Sequence, residues 1–363
     1  MNRLFIRSIC VFILAALMLC VSACTPAAPA APVQQSAEAP QSAAAPESTA
    51  PVQESEAEAQ EAPSTYSANA GSLIGVSLYS RRSQQELDLE AGIREASVKL
   101  GFSIIIEDSD TDPSRQVEQI NSFVEKGVNA ILLDTTDDAA VKDAVAAAQA
   151  AGIPVISMIV SATGADAHLG FNYSEDGEAI ATWLADYINQ NMGGSAKIGV
   201  VDFASCKQIC QPKLAAFEET LAAACLGAEL VAKYDGKGQR SESMTACEKL
   251  LMKNPEINFV LVFNEDAAAA AAEIVSDMKR DDVSIIGSAY GDEIFGALAS
   301  GSSPYIAICS DPYYALGSDA VAIADTLISG VDVAAQTPYP AMLLTPETIA
   351  QYDYALVASQ RGE

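Results

Sequence analysis

The sequence has little histidine and few basic residues. Its 363 residues include one histidine, His168, and 20 Lys and Arg against 48 Asp and Glu, for a formal net charge of −28. One histidine excludes a His-rich zinc site and limits any Ser-His-Asp triad to that residue. The acidic excess disfavours nucleic-acid binding, since no basic cluster exceeds Arg81-Arg82 or Lys279-Arg280. No nucleophile elbow, P-loop or dinucleotide-binding glycine motif follows a strand pattern, which argues against an enzyme.

The first 23 residues have the pattern of a secretory signal peptide. Arg3 and Arg7 precede an apolar run that ends at Val21, and the run is too short for a membrane-spanning helix with its own flanks. The tetrad Val-Ser-Ala-Cys at 21–24 resembles the bacterial lipobox, in which the cysteine is lipidated. We therefore expect lipid attachment at Cys24; the alternative is an ordinary signal peptide followed by a chance cysteine.

Residues 24–70 are predicted to be a disordered tether. After Cys24 the segment consists mainly of Ala, Pro, Ser, Gln and Glu and has almost no large apolar side chain. Such a composition cannot bury enough surface to offset the entropy of ordering the chain. The prolines favour an extended spacer that holds a folded domain away from a membrane.

Five cysteines remain after Cys24: Cys206, Cys210, Cys225, Cys247 and Cys309. An exported protein is in a compartment where disulfides persist, and an odd number leaves at least one thiol unpaired. Cys206 and Cys210 are close enough in sequence to form a disulfide, although buried small hydrophobic side chains are the alternative. A metal site is not expected, because no histidine lies near.

From residue 72 onward, apolar strand patterns alternate with helical ones. The predicted strands are 72–79, 102–107, 128–133, 154–158, 196–201, 229–234, 259–262, 283–287 and 305–309. The predicted helices are 84–100, 113–126, 138–151, 176–192, 213–224, 241–253, 266–279 and 313–329. Near-continuous apolar strands separated by helices indicate an α/β protein with parallel sheets covered on both faces. The alternation restarts midway, which predicts two α/β units with a ligand cleft between their strand ends.

Several short motifs resemble one family, the type I sugar-binding proteins of ABC importers. The motifs are Arg115–Asn121, Gly127–Leu133, Ala151–Val155, Phe263–Asp266, and Ser310–Tyr313 with Gly317 behind it. Each is modest alone, but their order and spacing cover residues 72–355, and the export signal agrees with them.

The resemblance implies a type I periplasmic binding protein fold, with two doubly wound parallel-sheet lobes joined by a three-crossing hinge. It places the N-terminal lobe at 71–173 plus 312–337 and the C-terminal lobe at 174–309 plus 340–358. It further implies a monomer without metal or cofactor, which binds a small molecule, docks on an ABC permease and meets the membrane only through its lipid.

At the ligand positions the sequence departs from the family. The usual Asp-Arg pair falls on Ile159 and Val160, the stacking aromatic falls on or near Gly238, and an aspartate falls on Ala289. These losses argue against a common pentose or hexose bound in the usual way. A family glutamine also falls on a serine, Ser310.

Other ligand positions keep polar side chains. Asn264 and Asn172 match ligand-binding asparagines, and Lys213 stands where the family has arginine, which keeps a cation but loses the planar fork. The alternatives are a turn-capping role for Asn264 and a place in the first helical turn for Lys213. The expected ligand residues are Arg82, Ser83, Gln85, Phe171, Asn172, Lys213, Asn264, Tyr290, Asp292 and Ser310.

Arg82 and Lys213 near one cleft indicate a ligand with an anionic group. The alternative is that Arg81 and Arg82 form a solvated loop paired with Glu86 or Asp88. His168 is expected to have a surface or packing role.

The predicted function is an extracytoplasmic, lipid-anchored solute-binding protein of an ABC importer, which captures a small polar ligand in the interlobe cleft, a sugar or a sugar-like molecule, with an anionic group on the ligand as one option. The alternative is a ligand-sensing subunit for a chemoreceptor or sensor kinase, which the same fold can serve.

Overall fold

A computed structural model describes residues 66–352 and residue 357. The predicted signal peptide, Cys24 and most of the predicted tether lie outside these residues and stay predictions. Within the described part of the chain, none of the helices combines the length and the apolar character needed to cross a membrane.

The first half of the described chain alternates strand and helix, as predicted. Its elements are β1 (Leu73–Leu78), α1 (Gln84–Leu100), β2 (Ser103–Asp108), α2 (Pro113–Lys126), β3 (Ala130–Asp134), α3 (Asp138–Ala150), β4 (Val155–Ile159) and β5 (Ala167–Phe171). Helix starts and ends follow local chemistry. Asp112 caps the amino end of α2 by accepting from the backbone N–H of Ser114, and Gly127 ends α2 in the left-handed conformation.

The second half repeats the pattern. Its elements are α4 (Tyr173–Asn191), β6 (Ser195–Asp202), α5 (Cys210–Ala224), β7 (Gly227–Asp235), α6 (Arg240–Lys253), β8 (Phe259–Val262), α7 (Glu265–Asp277), β9 (Ser284–Ser288), α8 (Asp292–Ser300) and β10 (Tyr305–Ser310). The chain then continues through α9 (Tyr313–Ile328), β11 (Gln336–Tyr339), β12 (Met342–Leu344) and a 3-10 turn at Ile349–Gln351.

The strands form two six-stranded sheets, one in each lobe. The first has the order β11-β5-β4-β3-β1-β2 and is parallel throughout; the second has the order β12-β10-β9-β8-β6-β7, with β12 antiparallel. Apolar side chains pack on both faces of each sheet beneath the helices. The predicted fold class, two doubly wound lobes, is confirmed.

The chain passes between the sheets three times. The passages lie between β5 and α4, between β10 and α9, and between β11 and β12. Helix α9 returns to the first lobe, where Gly317 lies against the backbone of α1: a Cβ there would lie 2.2 Å from the Leu89 carbonyl oxygen. The carboxyl ends of both sheets therefore meet at the hinge.

The structure adds elements that the sequence patterns missed. Strands β5 and β11 have no continuous apolar run, because β5 contains His168 and a glycine and β11 is Gln-Thr-Pro-Tyr, whereas β12 is apolar but only three residues long. His168 lies in β5 itself rather than before it; it is half-buried, with Nδ1 3.1 Å from Ser157 Oγ. The folded part also begins before residue 71, because the Asn69 side-chain amide donates to Asp325 at the end of α9.

Candidate functional site

A cavity of about 180 Å³ opens between the lobes at the carboxyl ends of the second sheet. Its walls come from the start of α5, the ends of β8, β9 and β10, and the starts of α1 and α9. Strand ends beside a topological crossover are where open α/β sheets bind ligands. The volume suits a small molecule or several waters.

A buried ammonium group lies at the floor of this cavity. Lys213 is 4% exposed, and its Nζ lies 2.6 Å from Asp176 Oδ2, 3.8 Å from Asp311 Oδ2 and 3.4 Å from Ser288 Oγ. Burial alone lowers the pKa of the Lys213 ammonium, but the carboxylates of Asp311 and Asp176 outweigh it and the pKa is raised. Lys213 is therefore charged and already paired.

Close helix packing sets this arrangement. Asp176 lies in the first turn of α4, and Gly177 beside it packs against the backbone of α5: a Cβ at Gly177 would lie 2.1 Å from the Lys213 carbonyl oxygen. Only glycine allows the two helices to approach this closely. The approach brings the carboxylate of one helix to the ammonium of the other.

Three buried polar atoms around the cavity lack a hydrogen-bond partner among the described residues: Ser310 Oγ, Asp311 Oδ1 and Tyr173 Oη. Ser310 and Asp311 are 3% and 6% exposed, and both line the cavity. Burial, with Lys213 opposing and Asp176 reinforcing, raises the pKa of Asp311 to about 6. Because buried polar atoms are nearly always paired, these atoms mark a place for a ligand or for water.

The first lobe contributes a second acidic group. The carboxyl groups of Glu86, in the first turn of α1, and Asp134, at the end of β3, are buried and hydrogen-bonded to each other. Glu86 Oε2 receives no N–H or O–H donor from the described residues. Burial and the neighbouring Asp134 hold the pKa of Glu86 well above its usual value, and burial raises the pKa of Asp134 to about 6.

Aromatic rings connect the two lobes at the hinge. The ring of Tyr313 lies 5.1 Å from Phe171 and 5.1 Å from Tyr290, centroid to centroid, with edge-to-face geometry in both pairs. Tyr173 lies near both acidic groups: burial raises the pKa of its hydroxyl, and the charges of Asp311, Asp176 and Asp134 raise it further.

The start of α1 is hydrogen-bonded to the second lobe, so the cleft is closed. Tyr290 Oη donates to Asp88 Oδ2 at 2.7 Å, and Gln85 Nε2 donates to Glu265 Oε2 at 3.1 Å. Gln84 bonds to the start of α8, donating from Nε2 to Asp292 Oδ1 at 2.7 Å and accepting from the Asp292 backbone N–H at 3.1 Å. We call these four bonds the α1 latch.

The structure places several of the expected ligand residues outside the cavity. Arg82 is exposed and pairs with Asp110 rather than with Glu86 or Asp88. Ser83 caps α1 by accepting from the backbone N–H of Glu86. Asn172 is exposed, and its amide donates to Glu175 Oε1. The geometry therefore gives no support to an anion-binding pair of Arg82 and Lys213.

Other expected residues do lie at the cleft. Asn264 lines the cavity but uses its amide structurally, as its Oδ1 caps α7 and its Nδ2 donates to the Gly238 carbonyl. Ser310 and Lys213 line the cavity with the groups described above. Phe171 belongs to the aromatic group at the hinge, and Gln85, Tyr290 and Asp292 belong to the α1 latch.

Three positions at which the family has polar ligand groups carry apolar side chains in this structure. Ala289 lines the cavity. Ile159 ends β4 with a φ of 62°, a left-handed conformation that strains a β-branched residue. Val160 follows it, and both are partly buried.

Cys206 and Cys210 also line the cavity, as free thiols rather than as a disulfide. A hydrogen bond from the Cys210 thiol, against the opposing effect of burial, lowers the pKa of Cys206 to about 6. The pKa of Cys210 is raised by that same contact and by burial.

Sequence reasoning missed the acidic residues of the site: Glu86, Asp88, Asp134, Asp176 and Asp311. A signal was present for two of them, since Asp134 directly follows an apolar strand and Asp311 belongs to the Ser310–Tyr313 motif. Among the described residues, no group of three or more His, Cys, Asp or Glu side chains could hold a metal ion. A larger surface depression of about 430 Å³ lies at β7 and α6, around Lys237 and Glu242, but it is open to solvent.

Comparison with known proteins agrees with this architecture. The family model of the periplasmic binding protein domain matches residues 74–332. The ribose import binding protein RbsB of Bacillus subtilis is 26% identical over 210 residues, which cover 57% of this chain and 67% of that protein.

Solved structures agree as well. A periplasmic ribose ABC transporter protein from Conexibacter woesei superimposes with a TM-score of 0.71 at 18% identity, covering 82% of this chain and 99% of that one. An ABC transporter solute-binding protein from Bacillus halodurans with bound myo-inositol gives 0.67 at 23% identity, covering 79% and 98%. The chain belongs to the periplasmic binding protein family, with the type I fold of its ribose-binding members.

Proposed function

We propose that this chain is the extracytoplasmic solute-binding protein of an ABC importer and that it captures a small hydroxyl-rich, sugar-like molecule in the cleft between its lobes. The observation that carries the proposal is the presence of two buried, unpartnered polar atoms on residues that line the cavity, Ser310 Oγ and Asp311 Oδ1. A hydroxyl that can donate or accept and a carboxylate oxygen that can accept match the hydroxyl groups of a polyhydroxy ligand.

The charge of the site disfavours an anionic ligand, contrary to our expectation from the sequence. Of the described residues that line the cavity, only Lys213 is basic, and it already pairs with Asp176. Asp311 and Glu265 also line the cavity. An incoming carboxylate or phosphate would meet more negative than positive charge.

Delivery to a permease needs the protein to close around its ligand and open again. The α1 latch supplies direct bonds between the lobes, and the hinge strands β11 and β12 are short. We propose that ligand and latch together stabilise the closed state that docks on the permease.

Lipid attachment at Cys24 completes the proposal. A lipid on this residue and the 24–70 segment would tether the binding lobes to the membrane. Expression of the chain with a radiolabelled fatty acid tests this: the wild-type chain should be labelled and membrane-bound, and Cys24→Ala should be neither. Labelling of Cys24→Ala would contradict it.

Ligand binding is tested by thermal shift and calorimetry on the detergent-solubilised full chain with pentoses, hexoses, polyols and inositols. A ligand at 100 times its Kd stabilises by about 2.7 kcal/mol, which for a folded part of this size is a Tm shift of about 4–5 °C. Ser310→Ala should weaken binding of any ligand found, with Ser303→Ala, far from the cavity lining, as control. Absence of binding throughout would contradict solute capture and favour a sensory or docking role.

A further inference from the structure

Among the described residues, those that line the cavity include one basic side chain, Lys213, and two acidic ones, Glu265 and Asp311. Lys213 lies 2.6 Å from Asp176 and 3.8 Å from Asp311, so it is shared by two carboxylates of the second lobe. In the first lobe the carboxyls of Glu86 and Asp134 are bonded to each other, Asp134 accepts from the Tyr79 backbone N–H, and the charge of Glu86 acts on Tyr313, which lines the cavity. Among the described residues, no basic side chain forms an ion pair with either carboxyl of this pair.

We propose that the ligand of this cleft is a small polar molecule that carries a protonated amine, with Glu86 Oε2 and Asp311 Oδ1 as acceptors for its N–H donors. This inference rests on the proposed function and narrows its ligand class. Each acceptor is at least nine-tenths buried, and neither has a donor among the described residues.

A neutral polyol would leave the acidic pair in the first lobe uncompensated. Ionising both of two carboxyl groups that are in contact is unfavourable because their negative charges repel each other. Burying such charges without a cationic partner adds an unfavourable desolvation free energy. An ammonium placed against them would let both ionise, and the attraction is stronger than at the surface because both carboxyls are buried. A buried acidic pair without a basic partner is the arrangement expected of a site that binds a cationic ligand.

A metal ion would suit the carboxyl groups of Glu86 and Asp311 less well than an amine-bearing molecule. Metal ligands must surround one point, whereas the described residues contain no cluster of three or more His, Cys, Asp or Glu side chains around one. Glu86 and Asp311 lie instead on opposite lobes, where a molecule with several polar groups would span the gap. The rings of Tyr290 and Tyr313, which line the cavity, offer apolar faces to the body of such a ligand.

Matched pairs of amines and alcohols test the inference on the detergent-solubilised full chain. The pairs are glucosamine and glucose, galactosamine and galactose, an aminodeoxyinositol and myo-inositol, and aminodeoxysorbitol and sorbitol; calcium and magnesium chloride are added separately. We expect at least one amine to bind about tenfold or more tightly than its alcohol at pH 7.5.

Two acid-to-amide variants identify the acceptors. Glu86→Gln and Asp311→Asn lie in different lobes, and each should weaken the amine about tenfold or more while changing the matched alcohol less than threefold. Glu118→Gln removes the same charge from the exposed face of α2 and should leave both affinities unchanged. Circular dichroism and Tm identify a variant that fails to fold. If one variant fails, the affinities of the variant in the other lobe test the inference.

The possible failures are distinct. If an alcohol binds as tightly as its amine, the amine inference is wrong and the proposed function stands. If calcium or magnesium alone stabilises the chain and Glu86→Gln abolishes that effect, a cation site replaces the amine inference. If neither amines nor alcohols bind, both the inference and the proposed function are contradicted.

Discussion

Tyr290, in the second lobe, donates its hydroxyl proton to Asp88 of the first lobe across 2.7 Å, and both side chains are buried. The bond joins the turn after β9 to helix α1, so it exists only while the cleft is closed. A hydrogen bond to a carboxylate is among the stronger ones in proteins. This pair therefore helps to set the balance between open and closed states.

Tyr290→Phe should shift the unliganded chain toward the open state. The variant removes one hydroxyl and leaves the ring in place, and loss of a bond to a charged group costs about 1.5–3 kcal/mol. Small-angle scattering should show a larger radius of gyration without ligand, and ligand affinity should fall about tenfold or more. Tyr305→Phe is the control, because Tyr305 donates to the Ala268 carbonyl within the second lobe. An unchanged radius and affinity would contradict a role in closure.

Lys213→Met should destabilise the chain strongly. The variant leaves Asp176 and Asp311 buried without their cation, and breaking a buried pair by removing one partner costs about 3–5 kcal/mol. Chemical denaturation measures the loss. Asp176→Asn combined with Lys213→Met should recover part of it, because the remaining repulsion is removed. Lys197→Met, at an exposed pair with Glu229, should cost less than about 1 kcal/mol. Equal losses at both lysines would contradict the buried-pair description.

The sequence was sufficient to predict the two lobes, since long apolar strands and amphipathic helices have periods that can be read directly. It missed β5 and β11 because their pairing with each other, His168 to Gln336, depends on tertiary contact and not on a local apolar run. Such strands are stable only once the sheet exists.

The candidate site was predicted only in part, for a different reason. Lys213, Ser310 and Tyr290 could be found by matching positions to a family. Glu86 could not, because its importance comes from burial against Asp134, 48 positions away in sequence. The sequence predicted Arg82 as a ligand residue. That Arg82 is exposed and pairs with Asp110 could not be predicted, because both are properties of the fold.

The contribution of the acidic pair of the first lobe, Glu86 and Asp134, to the free energy of unfolding without ligand should fall as the pH rises from about 4 to 7. The folded-state pKa values of Glu86 and Asp134 are raised, so the folded chain holds more protons than the unfolded chain in this range. The pair's contribution to folding stability is therefore fully present below the pKa values of the unfolded state. It is lost as the pH rises through the pKa values of the folded state. Groups near the pair are Asp108, Tyr173, Tyr313 and the Tyr79 backbone N–H.

Glu86→Gln isolates this contribution. Its amide can donate to the Asp134 carboxylate, which removes the need for a shared proton. The difference in unfolding free energy between variant and wild type should grow between pH 4 and 7, since each unit by which a folded-state pKa is raised corresponds to about 1.4 kcal/mol. Urea titrations at several pH values measure it. A difference independent of pH would show that the pair does not share a proton.

Cys206 should be the most reactive of the five described cysteines. Its pKa is lowered to about 6 by the Cys210 thiol, and it is the one of the five that is not fully buried. Because the thiolate is the nucleophile, alkylation by iodoacetamide should increase with pH around a midpoint near 6 and should block the cavity that Cys206 lines. Peptide mapping by mass spectrometry identifies the modified residue. Cys210→Ser should weaken the hydrogen bond and move the midpoint upward, whereas Cys247→Ser, on the buried face of α6, should leave it unchanged. A midpoint above 8 in the wild-type chain would contradict the thiol–thiolate pair.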